Sequence, residues 1–205
     1  MNSYSAVFLG VLIVAFLDIG LARCEEGQPT AEDLKSANPE SRQMAVEKVQ
    51  KAYRDAVSTA ISVLEEEIAS GKRNLRAFDM VKLLGNLRSS EASSVILRCI
   101  DWCDPKYDVP DKLVPVEEVY PAVKALGLIG IPAAKIILDA LPREKEALRI
   151  RLCAVVLANV YGPECALQVL KKKEATVEAS AKGPITSAIQ LLTIAYPATT
   201  SNETR

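Results

Sequence analysis

The stretch Val123-Lys-Ala-Leu-Gly-Leu-Ile-Gly-Ile-Pro-Ala-Ala-Lys-Ile-Ile-Leu138 sets the pattern of this chain, because two other stretches repeat it in register. Val81-Lys-Leu-Leu-Gly-Asn-Leu-Arg-Ser-Ser-Glu-Ala-Ser-Ser-Val-Ile-Leu97 precedes it, and Val155-Val-Leu-Ala-Asn-Val-Tyr-Gly-Pro-Glu-Cys-Ala-Leu-Gln-Val-Leu170 follows it. Aligned without internal gaps, the three stretches share apolar positions: Ala92 with Ala134 and Ala166, Val95 with Ile137 and Val169, and Ile96 with Leu138 and Leu170. Each stretch therefore reads as an apolar helix, a tight turn and a second apolar helix.

The spacing and composition of the repeat indicate the fold class. An apolar helical hairpin that returns every 30 to 45 residues or so is typical of an α-solenoid. Hydrophobic residues make up 49% of the 205 residues but aromatic residues only 5%, so small aliphatic side chains do the packing. We predict an all-α fold, a short α-solenoid of stacked helical hairpins, and such a fold presents surfaces for binding.

Composition also excludes several kinds of site. The chain contains no histidine, so it has no Ser-His-Asp or Cys-His nucleophile and no imidazole metal site. We predict no metal and no cofactor. The formal net charge is -1, so there is no chain-wide basic field to hold nucleic acid, and we expect none as a partner. We expect Lys171-Lys172-Lys173 to interact with a helix C-terminus and water, and Glu65-Glu66-Glu67 to form a solvated face.

The N-terminal residues are typical of an export signal. An apolar run covers Ala6 to Leu17 and is followed by the small residues that signal peptidase reads, which predicts residues 1–22 as a signal peptide cleaved after Ala22. The run is shorter than the 20 residues or so that span a bilayer. The first five residues lack Lys and Arg, so an uncleaved anchor stays open, as does lipidation of Cys24. We expect an exported protein, secreted or periplasmic, without membrane insertion after cleavage.

The remaining cysteines are Cys99, Cys103, Cys153 and Cys165. In an oxidising compartment they could form disulfides, and Cys99 with Cys103 is the candidate pair because the two lie one helical turn apart. The predicted offset of the third hairpin argues against a bond between Cys153 and Cys165. The alternative is that all four are small buried apolar thiols.

The rest of the organisation follows from helix start and stop signals. Asn38-Pro39 is typical of a helix start and Gly71 of a helix end, so we expect one uninterrupted helix over residues 39–69. Residues 23–37 read as a mobile leader, 38–196 as one helical domain and 197–205 as a polar, disordered tail. The predicted elements after the long helix are 74–88 with 91–102, 116–129 with 132–141, 145–160 with 163–172, and a capping helix that Gly183-Pro184 starts and that reaches about Ala195.

The quoted residues carry a family resemblance. The stretch from Val123 to Leu141, with its Gly-x-Pro-Ala turn, resembles a HEAT repeat, and Leu34 to Arg42 is similar to the start of another. The arrangement over residues 34–192 also resembles small exported bacterial HEAT-like proteins with no assigned activity. The resemblance implies an armadillo-like fold and no reaction. Ser89-Ser90 departs from it by replacing the Gly-Pro turn.

One irregularity points to a binding site. The first repeat is about ten residues longer than the second, and residues 101–115 account for the difference. Inserts in solenoids map to loops on one face, which is often the binding face. Trp102, Tyr107 and Tyr120 lie in or next to this insert and are the candidate partner contacts, since aromatic side chains often anchor interfaces. In the alternative, Trp102 packs on the core and the prolines stiffen a connector. The aspartates of the insert lack the glycine and terminal glutamate of an EF-hand loop, so we expect no calcium site.

These observations favour a non-enzymatic, exported interaction or scaffold module that presents a helical face and the insert to a protein partner. A thiol-redox protein that uses Cys99 and Cys103 is an alternative, although the Cys-x-x-Cys spacing is absent. A lyase-type enzyme is a further alternative, because some HEAT-like proteins act as chromophore lyases.

Overall fold

The computed structural model describes residues 31–107 and 114–197, and within these ranges every regular element is a helix. The predicted signal peptide with its cleavage site at Ala22, Cys24 and the tail beyond residue 197 lie outside the described residues. The helices are α1 (Ala31–Lys35), α2 (Pro39–Ala69), α3 (Leu75–Asn86), α4 (Ser93–Arg98), α5 (Val116–Val119), α6 (Pro121–Ile129), α7 (Ile131–Ala140), α8 (Ala147–Tyr161), α9 (Pro163–Thr176) and α10 (Lys182–Ala195). Short 3-10 turns cover Ser90–Ala92, Leu141–Arg143 and Ala179–Ala181. The all-α prediction is confirmed for these residues.

The chain divides into two compact units, Met1–Val63 and Leu64–Arg205, so the boundary falls inside α2. In the first unit, α2 begins at Pro39 as predicted, and the side chain of Asn38 accepts a hydrogen bond from the backbone N–H of Glu40 at 2.9 Å. That bond supplies a partner for one of the donors that a helix start leaves free. The short helix α1 lies within the stretch predicted as a leader.

The end of α2 lies in the second unit and follows local backbone chemistry. Gly71 has a φ of +69°, which glycine adopts without a steric penalty. Its N–H donates to the carbonyl of Ile68 and the N–H of Lys72 donates to the carbonyl of Glu67, both at 3.1 Å. This pair of bonds is a Schellman motif, and it ends the helix at the position predicted from Gly71 in the sequence.

Glu67 corrects the prediction that all three glutamates of 65–67 are solvated. It is 7% exposed, whereas Glu65 and Glu66 are exposed. Its carboxylate accepts from Nδ2 of Asn74 at 2.8 Å and lies 3.4 Å from Nη1 of Arg76. Asn74 in turn caps α3, since its Oδ1 accepts from the N–H of Ala77 at 2.9 Å. Glu67 therefore fixes the residue that starts the next helix.

Three predicted boundaries in the second unit were wrong. The first is the end of α4, which lies at Arg98 and not at Trp102, because a distant arginine binds the last carbonyls of the helix. The second is the helix predicted over 116–129, which is broken at Tyr120 (φ -120°, ψ 86°) since a residue before proline avoids the helical region. The third is the end of α9, which lies at Thr176 and not at residue 172, since the extended backbone begins at Val177 (φ -95°, ψ 157°).

Alternate helices of the second unit pack side by side. Helix α3 packs against α6, α6 against α8, and α8 against both α9 and α10, while α4 packs against α6 and α7. One of the three aligned sets is buried throughout, since Ala92, Ala134 and Ala166 are all 0% exposed, whereas Val169 and Leu138 of the other two sets are half-buried. The alanine position of the repeat is therefore a core position in all three stretches.

No described helix is by itself long and apolar enough to cross a membrane. Helices α6 and α7 with the turn that follows reach that composition only as a pair, bent by 118°. Their apolar side chains include core residues such as Leu126 and Ile137, each 0% exposed.

Candidate functional site

Trp102 lies in the core and does not face solvent. It is 8% exposed, and its ring meets that of Phe78 edge-on at a centroid distance of 6.4 Å. The guanidinium of Arg73 lies 5.7 Å from the indole centroid. The structure thus agrees with the alternative reading of this residue: Trp102 packs after the end of α4, and a partner does not reach most of its ring without rearrangement.

The two tyrosines are more accessible. Both Tyr107 and Tyr120 are half-buried. The N–H of Tyr107 donates to the carbonyl of Asp104 at 2.9 Å, which closes a turn, and Nζ of Lys106 lies 4.9 Å from the centroid of the Tyr107 ring. Hydrogen bonding with Tyr107 raises the pKa of Lys106, so the amine stays protonated. Tyr120 lies at the break between α5 and α6.

Asp104 organises the described part of the insert. It is 4% exposed, which is unusual for a carboxylate unless it is paired. Oδ1 accepts from the N–H of Lys106 at 3.1 Å, and Oδ2 lies 3.5 Å from Nζ of Lys82 and 3.9 Å from Nζ of Lys106. The N–H of Asp104 also donates to the carbonyl of Val119 at 2.9 Å, so this turn is tied to α5.

An open cleft of about 210 Å³ lies over this carboxylate. Helix α3, the turn after Trp102, α5 and α6 all contribute to its walls. The cleft is lined by Lys82, Asn86, Asp104, Lys106, Glu117, Glu118, Pro121, Lys124, Ala125 and Leu128. We call it the lysine cleft, because Lys82, Lys106 and Lys124 each expose half or more of their side chains there.

A half-buried arginine holds the beginning of the insert. Arg149 of α8 donates from Nη1 to Oδ1 of Asp101 at 2.6 Å and from Nε to Oε2 of Glu144 at 2.8 Å. It also donates to the carbonyl of Leu97 at 3.1 Å and to that of Arg98 at 3.3 Å. One side chain therefore caps α4 and fixes the residue at which the insert starts.

The opposite charges of Glu144 and Arg149 each favour the charged form of the other group. Burial by itself raises the pKa of Glu144, but the hydrogen bonds from Arg149 and from the backbone N–H of Lys145 outweigh it, so the pKa is lowered. Burial by itself lowers the pKa of Arg149, and the hydrogen bond and charge of Glu144, together with Asp101, outweigh it and raise that pKa. Both groups are charged at neutral pH.

The structure does not form the disulfide considered between Cys99 and Cys103. Sγ of Cys99 donates to the carbonyl of Val95 at 3.6 Å, and Sγ of Cys103 donates to that of Tyr107 at 3.3 Å. Burial raises the pKa of Cys99 and of Cys153 to about 12. A redox thiol needs a pKa lowered toward neutrality, so the surroundings of Cys99 disfavour the thiol-redox alternative.

No metal site is found among the described residues, where no group of three Cys, Asp or Glu side chains is placed to hold an ion. Asp101 is bound to Arg149 and Asp104 to two lysines. The other two aspartates of the insert, Asp108 and Asp111, lie outside the described residues.

Comparison with known protein families, with curated proteins and with solved structures gave no match to this chain.

Sequence reasoning missed the lysines of the cleft, Arg149 and Glu67. The sequence does contain a signal for two of the cleft lysines, because Lys82 and Lys124 hold the same position in the first and second repeats. No comparable signal exists for Arg149, whose partners Leu97 and Arg98 lie about fifty residues earlier.

Proposed function

We propose that this chain is a non-enzymatic interaction module, exported and built as a short HEAT-like α-solenoid, that holds a protein partner. The order of helices supports the solenoid, since α3, α6, α8 and α10 pack in sequence, each against the next. The N-terminal apolar run supports export.

One observation carries the proposal. Residues that the insert adds, Asp104 and Lys106, line the same open cleft as Lys82 and Lys124 from two successive repeats. An insert that only connected two helices would not be expected to place two of its side chains in the wall of a cleft. The partner contact therefore shifts from Trp102, which is buried, to Lys106, Tyr107 and the walls of the lysine cleft.

The test is capture of a partner from native extracellular or envelope extract with the full chain as bait. The altered bait carries Lys106→Glu and Tyr107→Ala, which change the exposed part of the insert and leave Trp102 intact. The matched control carries Lys135→Glu and Ile131→Ala, which change an exposed lysine and an exposed apolar residue on α7. Far-ultraviolet circular dichroism checks that each bait is folded.

A partner captured by wild type and by the control, and lost from the insert variant, supports the proposal. A partner retained by all three baits moves the contact to another face. Failure of every bait to capture a partner contradicts the interaction function itself.

A further inference from the structure

A second open groove lies between the start of α8 and one side of α10. Its volume is about 550 Å³, and its walls hold five aliphatic side chains, two neutral polar ones and one arginine. The lining residues are Ala147, Leu148, Ile150, Arg151, Ser187, Gln190, Leu191 and Ile194. We call it the α8–α10 groove. It shares no lining residue with the lysine cleft, so the two surfaces are separate.

Large apolar side chains flank this groove on both helices. Ile194 is 79% exposed, the highest value for a large apolar side chain among the described residues, and Leu148 is 41% exposed. Leu191 is half-buried, and no helix follows α10 in the described part of the chain. A single exposed aliphatic side chain is ordinary, but several around one groove are typical of a binding surface.

The charged side chain of the groove is unpaired. Arg151 is exposed, and among the described residues no carboxylate lies within ion-pair distance of its guanidinium. Arg149, two residues earlier, binds two carboxylates. The lining of the groove contains one arginine and no acidic residue, which gives it a net charge of +1. The donors of Arg151 therefore remain available for an acceptor on a ligand.

Charges just outside the lining do not cancel this one. Lys145 and Glu146, which precede α8, are both exposed and opposite in sign. Helix α10 has a single charged residue, Lys182, at its start. The carboxylate of Glu174 on α9 accepts a hydrogen bond from the hydroxyl of Thr186 and is not part of the lining. A ligand in the groove thus meets an unpaired positive charge beside an aliphatic surface.

The shape of the groove favours a helix over a small apolar anion. Its α10 wall is one stripe at helical spacing, about two turns long, made of Ser187, Gln190, Leu191 and Ile194. Small-molecule sites enclose most of their ligand, but the exposure of Ile194 shows that this groove is open. An amphipathic helix needs cover for its apolar face only, so an open groove between two helices suits it.

We propose that the α8–α10 groove binds an amphipathic helix of a partner protein. The apolar face of that helix packs against Leu148, Leu191 and Ile194, and a carboxylate at the edge of this face pairs with Arg151. Charge complementarity between that acidic group and the unpaired guanidinium selects this partner. The surface is additional to the partner contact at the lysine cleft, and it shares with the proposed function only the premise that the chain binds proteins.

The test uses the full chain, isotopically labelled, and three blocked synthetic peptides as probes. The first is a helix-forming peptide of alanine and glutamine, with leucine along one helical stripe and a glutamate beside that stripe. The second has glutamine in place of the glutamate, and the third has the composition of the first in an order that removes the stripe. We expect saturable amide shifts at Leu148, Arg151, Leu191 and Ile194 with the first peptide, weaker binding of the second, and no such shifts with the third.

Variants identify the side chains that bind. Arg151→Gln should weaken binding of the glutamate peptide about 3-fold, the loss of one exposed ion pair, and leave binding of the glutamine peptide unchanged. Ile194→Ser should weaken both peptides about 10-fold, because both bury this side chain. Both side chains are exposed, so neither change removes a core contact. Arg98→Gln on α4 and Leu75→Ser on α3, also at exposed positions, are the matched controls and should leave both affinities unchanged.

Several results would overturn the inference. Equal binding of the first and third peptides would show that no helical stripe is recognised, and an equal effect of Arg151→Gln on the first and second peptides would remove the charge pairing. Equal loss with all four variants would also contradict it. Shifts at the groove residues on dilution without peptide would assign the groove to a second copy of the chain. Shifts there on deletion of residues 198–205 would assign it to the chain's own C-terminal residues, and either assignment rules out the partner helix.

The outcomes also separate this inference from the proposed function. If capture from extract succeeds and depends on the insert, but none of the peptides binds the α8–α10 groove, the proposed function stands and the helix inference is wrong. If the glutamate peptide binds the groove but no bait captures a partner, the chemistry of the groove stands and the proposed function fails.

Discussion

Gly85 of α3 lies directly against Ala125 of α6. A Cβ atom built on Gly85 would lie 2.6 Å from both Cα and Cβ of Ala125, closer than two carbon atoms can approach without a shift. Gly127 holds the same position one repeat later, and a Cβ atom there would meet Cβ of Asn159 at an ordinary 4.0 Å. The glycine permits a close approach of helices only at the first of the two positions.

We therefore expect opposite results from one substitution at two equivalent positions. Gly85→Ala should lower the free energy of unfolding by about 1–3 kcal/mol, because α3 and α6 must move apart. Gly127→Ala should leave it unchanged or raise it by up to about 1 kcal/mol, since alanine favours a helix interior more than glycine does. Urea unfolding followed by circular dichroism measures both. Equal effects would show that the close approach is absent.

Helix boundaries could be predicted where a local interaction decides them. Asn38 and Pro39 start α2 through a cap and a fixed φ, and Gly71 ends it through a positive φ, so a few neighbouring residues contain the information. Gly130 and Gly162, at φ of 81° and 79°, separate the helices of the second and third pairs for the same reason.

The lysine cleft and the arginine network could not be predicted in this way. The end of α4 depends on Arg149, about fifty residues later in the chain, and no local pattern contains that contact. Trp102 is buried against Phe78 of α3, a contact that no local sequence pattern shows. The position of Trp102 in an insert therefore suggested an exposed aromatic side chain. Repeat alignment shows that Lys82 and Lys124 are equivalent, but only the packing of α3 on α6 brings them to one cleft.

Trp102 offers a direct optical test of its position, because the chain contains one tryptophan. We expect native emission to be blue-shifted from that of free tryptophan and to move to longer wavelength on unfolding. Trp102→Ala should cost about 3–5 kcal/mol of unfolding free energy, the usual effect of removing a large buried side chain. Tyr107→Ala is the matched control and should cost much less, because Tyr107 is half-buried. Native emission at the unfolded wavelength would contradict the core position.

Loss of the Arg149 side chain should lower the free energy of unfolding more than loss of most other side chains. Arg149→Met keeps much of the side-chain volume but removes the side-chain donor to Asp101, Glu144 and two helix-end carbonyls, while Glu144 keeps the backbone N–H of Lys145. Because these groups are largely buried, we expect a loss of about 3–5 kcal/mol in urea unfolding. Arg151→Met, an exposed arginine on the same helix, should change stability by less than about 0.5 kcal/mol. Equal effects of the two substitutions would show that the network adds no net stability.

The lowered pKa of Glu144 predicts a dependence of stability on acid. As the pH falls below the ordinary value of 4.5, the unfolded chain takes up the proton before the folded chain does. The contribution of Glu144 is therefore complete above pH 4.5 and is lost as the pH falls through the lower pKa of the folded state. Glu144→Gln should remove this part of the loss of stability in acid. Glu146→Gln, which changes an exposed glutamate of the same connector, should retain it. Urea midpoints measured at a series of acidic pH values test the difference.

The cysteines predict the opposite dependence in alkali. Burial raises the pKa of Cys153 from 9.0 to about 12, so above pH 9.0 the unfolded chain loses this proton while the folded chain keeps it. Stability due to Cys153 is complete below pH 9.0 and decreases as the pH rises toward 12, by at most about 1.4 kcal/mol per pH unit. Cys153→Ala should flatten the decrease in the urea midpoint, and Cys165→Ala, which removes an exposed thiol, should not.

In the native state a disulfide reagent should label Cys165 rapidly and label Cys99 and Cys153 only on unfolding, as peptide mass spectrometry can show. Rapid native labelling of Cys99 would instead favour the thiol-redox function.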